Sequence, residues 1–242
     1  MVSPDRFGLI SEIDVDEPDS WRERIFLTFD LDWAADAVID DTIDLVEAAG
    51  AAATWFVTHD TPVLERLRAN SRFELGIHPN FNFLLLGDGR NGADAGEVID
   101  RLLAIVPEAK AVRSHSMTQS SLILDLFVQR GLTHDCNHFI PDEAGMTLRP
   151  WRYWGGLAKV PYFWEDDVYC LSERRTPIAE AAALDGLRVF DFHPIHVFLN
   201  TEDMGRYDDA RPHLADAAAL LERRASDCPG ARQLLSELLE LA

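Results

Sequence analysis

Residues 25–32 read IFLTFDLD, an apolar run that turns acidic only at its end. Such a short run, rich in Ile, Phe, Leu and Thr, reads as a buried strand. Residues 36–49 follow with helical spacing (Ala37, Ile39, Ile43, Leu45, Val46), and Gly50 suits the stop. Residues 52–58, AATWFVT, read as a second strand, residues 62–69 as a short helix, and residues 73–77 as a third strand running into HPNFN. Strand and helix alternate, which implies a parallel sheet with βαβ crossovers.

Further out the pattern continues. The segment 82–92 opens apolar and becomes a loop. Helices are expected over 95–106 and 119–130, with a strand at 111–113 between them. Residues 132–160, rich in Trp, Pro and Gly, read as long loops at one rim, and 189–193 as a late strand. Two amphipathic helices are expected over 211–225 and 230–241, broken at Pro229-Gly230, and the acidic residues 1–23 as a lead-in over the sheet. No internal repeat or linker divides the chain, so residues 1–242 are expected to form one domain.

The 242 residues carry a net charge of −20, from 42 acidic against 22 basic residues. That balance repels phosphate backbones and anionic lipid, so nucleic-acid and membrane partners are not expected. Cys136, Cys170 and Cys228 are far apart and in no CxxC spacing, which argues for reduced thiols. With no apolar core of signal-peptide length near residue 1, a cytoplasmic setting is expected. The oligomeric state has no signature in the sequence.

The chemistry-bearing residues fall at strand ends. Asp30 and Asp32, two apart on a strand, would point to one face, where two carboxylates need a cation or an arginine between them. His78 follows the third strand; if helix begins at Pro79, Asn82 stacks on the same face four residues on. Arg113-Ser114-His115 ends the next strand and places an arginine within reach of the acid pair. His193 closes VFDFH, with Asp191 on the same face to orient it; His196 would face elsewhere. The C-terminal ends of parallel strands are where β/α barrels place their chemistry.

With these motifs in place, the chain resembles the polysaccharide deacetylase family (NodB homology, carbohydrate esterase family 4). Thr28-Phe29-Asp30-Leu31-Asp32 is similar to its acid-pair motif, AATWFV to its second strand, and FELGIHPNFN to its histidine motif. VRSHS stands where the family's arginine motif is expected, and His193 where its last histidine lies; HPNFN, YFWEDD and FHPIH most resemble the WbmS-like branch. The resemblance implies a distorted (β/α) barrel that removes N-acetyl groups from sugars with a divalent metal, zinc or another divalent ion. It makes Asp30 the base, Asp32 and His78 metal ligands, Arg113 the residue that tunes the base and His193 the acid. Asn82 occupies the second metal-histidine position, and His115 replaces a proline. Trp164-Glu165-Asp166-Asp167 is the best match to the fourth motif, with Asp166 or Asp191 orienting His193. His115, Trp164 and His196 are expected to contact substrate, and His115 or His196 is an alternative source of the missing metal nitrogen. The substrate implied is an N-acetylated sugar or glycan precursor in surface-polysaccharide synthesis. A carbohydrate-binding pseudoenzyme and another amide hydrolase are the competing readings.

Overall fold

A computed structural model describes residues 6–226 and 228–241. The strands are β1 (Phe7–Gly8), β2 (Ile25–Asp30), β3 (Ala53–Val57), β4 (Phe73–Ile77), β5 (Ala111–Val112), β6 (His134–Asp135), β7 (Trp151–Arg152), β8 (Ala158–Lys159), β9 (Trp164–Glu165) and β10 (Arg188–Phe192). They form one sheet in the order β7-β8-β6-β5-β4-β3-β2-β10-β9, with β1 beside β2, and every pairing but β7–β8 is parallel. The sheet curls on itself. One extended segment, residues 158–165, pairs with β6 at its start, bridges Phe139 at Tyr162, and pairs with β10 at its end. Helices surround the curled sheet, as expected of a distorted, partly closed barrel.

All six residues of β2 and all five of β3 are buried, the mark of strands covered on both faces. Phe29 stacks on Trp55 with ring centroids 4.2 Å apart, and Trp55 meets Phe73 edge-on. Gly76 is required by close approach: a Cβ there would lie 2.7 Å from the Phe56 ring and 2.9 Å from the Ala111 carbonyl oxygen. The helix Asp36–Ala49 buries Val38, Ile39, Ile43 and Val46 and ends on Gly50 in the left-handed conformation (φ 64°), as the sequence anticipates. No helix among the described residues is long and apolar enough to cross a membrane.

The structure departs from the sequence reading in four places. β2 ends at Asp30, so Asp32 is not its same-face neighbour on a strand but lies in a turn with φ 40°. Helix begins at Asn82, not Pro79, because Asn80 Oδ1 accepts a hydrogen bond from the Asn82 N–H at 2.9 Å in a competing Asx turn. The region 132–160 contains β6, β7 and β8 within its loops. Over 211–225 there is only a 3₁₀ turn and the short helix Ala217–Leu221, whereas the last helix, Ala231–Leu239, is present.

Candidate active site

The floor of the site is a buried charge cluster at strand ends. Arg113, just past β5, is 1 % exposed and lies between the rings of Phe56 and Tyr162, 4.6 and 4.4 Å from their centroids. Its Nη1 donates to Asp30 Oδ1 at 3.0 Å and to Asp191 Oδ1, and its Nη2 to Thr28 Oγ1 at 3.0 Å. Asp30 and Asp191 both lie where the parallel register of β2 and β10 brings side chains to one face. The arginine thus pairs with Asp30, as expected, but its second partner is Asp191 and not Asp32. Burial pushes the Asp191 carboxyl up to about 8, with Arg113 pulling it down and Asp30 adding to the rise. Asp191 Oδ2 is correspondingly buried without a hydrogen-bond partner.

Above this floor three donor atoms form a nearly regular triangle. His78 Nε2 and His115 Nδ1 lie 3.2 and 3.3 Å from Asp32 Oδ1, and 3.3 Å from each other. Burial alone would raise the Asp32 carboxyl, but the His115 and His78 imidazoles outweigh it and hold the group well below the ordinary carboxylate range. His78 is likewise disfavoured as a cation by burial, yet Asp30 and Asp32 raise it above the ordinary histidine value. The other ring nitrogen of His78 faces Asp30 Oδ2 at 3.4 Å.

The third component is His193. Asp166 grips it twice: Asp166 Oδ1 lies 2.8 Å from Nδ1 and Oδ2 accepts the backbone N–H at 2.9 Å. Its Nε2 is left 3.7 Å from Asp32 Oδ2, on the cavity side. Burial disfavours the imidazolium, but the Asp166 carboxylate overrides it and holds His193 well above its ordinary value. Of the two acids expected to orient His193, it is therefore Asp166 that does so, while Asp191 serves the arginine.

Asp30, Asp32, His78, Arg113, His115 and His193 line a cavity of about 110 Å³ together with Ser114, Ser116, Met117, Tyr162, Glu165 and Asp167. Tyr162, Glu165 and Asp167 had no role assigned from the sequence. The alternation along β9 was the available signal, since it sends Trp164 to the core and Glu165 to the cavity. Tyr162 donates its hydroxyl to Glu165 Oε2 at 3.1 Å, and burial with the nearby Asp167 charge raises Glu165 well above the usual carboxylate value.

Three expected residues lie elsewhere. Asn82 donates through Nδ2 to Ser116 Oγ at 3.1 Å and accepts from Thr118 at 3.3 Å, so its amide braces the loop that carries His115, and Asn82 does not line the cavity. Trp164 packs in the core against Phe190 and Phe192 and does not line the cavity. His196 is buried behind His193, facing Thr201 Oγ1 at 3.2 Å and the Tyr207 ring, and burial lowers it below the ordinary histidine value.

The donor set fits a divalent ion. Donors bound at about 2.0–2.1 Å to a tetrahedral ion are separated by roughly 3.3–3.4 Å, which is the spacing seen among Asp32, His78 and His115. Asp32 Oδ1 is also buried with no hydrogen-bond partner, an orphaned acceptor that an ion would satisfy. Of the three other groupings among the described residues, Asp30–Asp191–His193 and Asp166–His193–His196 have their carboxylates committed to Arg113 or to His193 itself, and in Glu165–Asp167–His193 the Glu165 carboxyl is raised by burial and takes the Tyr162 hydroxyl.

The model of the WbmS-like polysaccharide deacetylases matches residues 27–211. Among solved structures, a protein of Bordetella bronchiseptica described as a polysaccharide deacetylase involved in O-antigen biosynthesis is 48% identical over 98% of each chain, with a TM-score of 0.88. A protein of Mycobacterium smegmatis, also described as a polysaccharide deacetylase, is 18% identical over 94% of this chain and 92% of that one, with a TM-score of 0.48, too remote to argue from. A search of curated proteins gave no match.

Proposed function

The chain belongs to the WbmS-like polysaccharide deacetylase family, hydrolases of carbon–nitrogen amide bonds, and on that premise we propose how its residues divide the work of removing an N-acetyl group from a sugar. The observation that carries the division is the triangle of Asp32, His78 and His115, with Asp30 Oδ2 3.4 Å from His78 Nδ1 and His193 Nε2 3.7 Å from Asp32 Oδ2.

Asp32, His78 and His115 hold a divalent ion, with zinc favoured by a set of two imidazoles and one carboxylate. When bound, that ion polarises the acetamide carbonyl and acidifies the attacking water. Asp30 takes the proton of that water, and Arg113, donating to its Oδ1 at 3.0 Å, holds it in place. Arg113 can do so because Asp191, raised to about 8, carries a proton at neutral pH and leaves the guanidinium charge to Asp30. Asp30 also faces the Nδ1 side of His78, the place of the carboxylate that commonly orients a ligating imidazole. His193 enters the reaction protonated because Asp166 holds it so. From Nε2 it gives that proton to the departing nitrogen as the C–N bond breaks, leaving acetate and a free amine.

The substrate we propose is an N-acetylated sugar of a bacterial surface-polysaccharide precursor, by likeness to the Bordetella bronchiseptica protein. The setting is cytoplasmic and the 242 residues act as one domain. The test is acetate release from a panel of N-acetylhexosamines and their oligomers by zinc-loaded protein. The parent releases acetate and Asp30→Asn, with its ion retained, does not; equal release by both would place the chemistry elsewhere.

A further inference from the structure

Five non-glycine residues with left-handed backbone occur among the described residues, and four of them sit at this site: Asp32 (φ 40°), Trp33 (φ 56°), Ser116 (φ 55°) and Met117 (φ 52°), the fifth being Asn200. Each such residue is strained and persists only where the surroundings impose it. Here they come as two consecutive pairs, one running from Asp32 and one directly after His115. Each pair ends in a large apolar side chain left in solvent, Trp33 at 41% exposure and Met117 at 38%. The turn at Trp33 is fixed by its own N–H, which donates to Thr58 Oγ1 at 3.1 Å, and by the Ala34 N–H donating to Leu31 O at 2.8 Å. The indole stands near-perpendicular to the His115 ring at 5.2 Å, beside the donor triangle. Burial of apolar surface does not explain a tryptophan held this way, because much of it stays in water.

Cavity size supplies the other half of the argument. Sites that enclose a whole small ligand run to roughly 300 Å³ and more, whereas this cavity is about 110 Å³. It admits the acetamido arm of a sugar and leaves the ring outside, over the rim. A pyranose face presents C–H bonds, its hydroxyls pointing around the edge, so an exposed indole is the chemical complement of that face.

Resting on the hydrolytic reading above, we infer that Trp33 is a sugar-binding platform: its indole packs on the face of the ring whose N-acetyl group enters the cavity, with Met117 extending the apolar rim. The strained turns are retained because they project Trp33 and Met117 outward while Asp32 and His115 point in.

The test uses zinc-loaded full-length protein and two probes, N-acetylglucosamine and its β-1,4-linked trimer, with binding followed by calorimetry and acetate release measured alongside. Trp33→Ala and Trp33→Gly weaken binding by roughly fivefold or more, the scale of one lost aromatic contact. Trp33→Phe stays close to the parent, and zinc affinity is the same in all four proteins. Trp33→Gly matters because glycine adopts the left-handed turn without strain, so its loss of binding reports the missing ring and not a collapsed loop. Failure of the parent to bind either probe, unchanged binding by Trp33→Ala and Trp33→Gly, or loss of zinc from both would overturn the proposal; loss of zinc would make Trp33 a brace for His115. Binding without acetate release by the parent would contradict the hydrolytic reading and leave the platform standing.

Discussion

On the floor of the cavity Asp30, Arg113, Asp191 and Thr28 stand on or just past strand ends, buried, and joined in one hydrogen-bonded cluster. At its rim Asp32, His115 and Met117, with Trp33 beside His115, stand in turns, partly exposed, with left-handed backbone at three of the four. The floor obtains its geometry from sheet register, which fixes side chains in pairs across parallel strands. The rim obtains its geometry from local strain held by a few hydrogen bonds. A floor of this kind suits a base and its counter-ion, which must not move; a rim suits groups that meet an ion and a substrate arriving from solvent.

If that contrast is right, damage to the floor should register first as lost stability. Arg113→Met leaves Asp30 buried without its cation and Asp191 without its donor, and should destabilise the fold by about 3–5 kcal/mol, read as a lowered denaturant midpoint. A shift no larger than that of a surface substitution would mean the cluster is not the rigid base described.

His193→Ala should keep the fold and the ion yet lose on the order of 10²–10⁴-fold in turnover, the range of a missing general acid. Removing the grip on that histidine is a finer probe. Asp166 raises His193, so Asp166→Asn lowers its pKa, and the protonated acid is then lost at a lower pH than in the parent. The alkaline limb of kcat against pH should therefore move to lower pH. An unmoved limb would assign the acid to another group.

The smallest effect belongs to Asp191→Asn. Asparagine is nearly isosteric with the protonated carboxyl that Asp191 carries at neutral pH, so turnover near pH 7 should change only severalfold. A loss as large as that of Asp30→Asn would show that Asp191 works ionised.

The same contrast separates what could be read in the sequence from what could not. Asp30, Arg113 and His193 were legible because period and strand ends place them, and the curled sheet keeps that periodicity. The same-face placing of Asp32 fails because the chain leaves the strand at Leu31, and nothing marks a left-handed Asp-Trp pair when neither residue is glycine. The i, i+4 stacking of His78 with Asn82 assumed a helix from Pro79, which the Asn80 turn postpones. Ser116 and Met117 likewise carry no glycine to announce the loop that swings His115 toward His78. Trp164, expected to contact substrate, is turned into the core by β9, which presents Glu165 to the cavity instead.

We propose that the rim turns, and not a helical His-Asn pair, make the metal centre. Zinc titration of metal-free parent, His115→Ala and Asn82→Ala decides it most directly. Asn82→Ala should bind one zinc with an affinity close to the parent's, and His115→Ala should bind at least about 10²-fold more weakly, as expected when one of three protein ligands is lost. Weak binding by Asn82→Ala with parent-like binding by His115→Ala would give the third ligand position to Asn82 and not to His115.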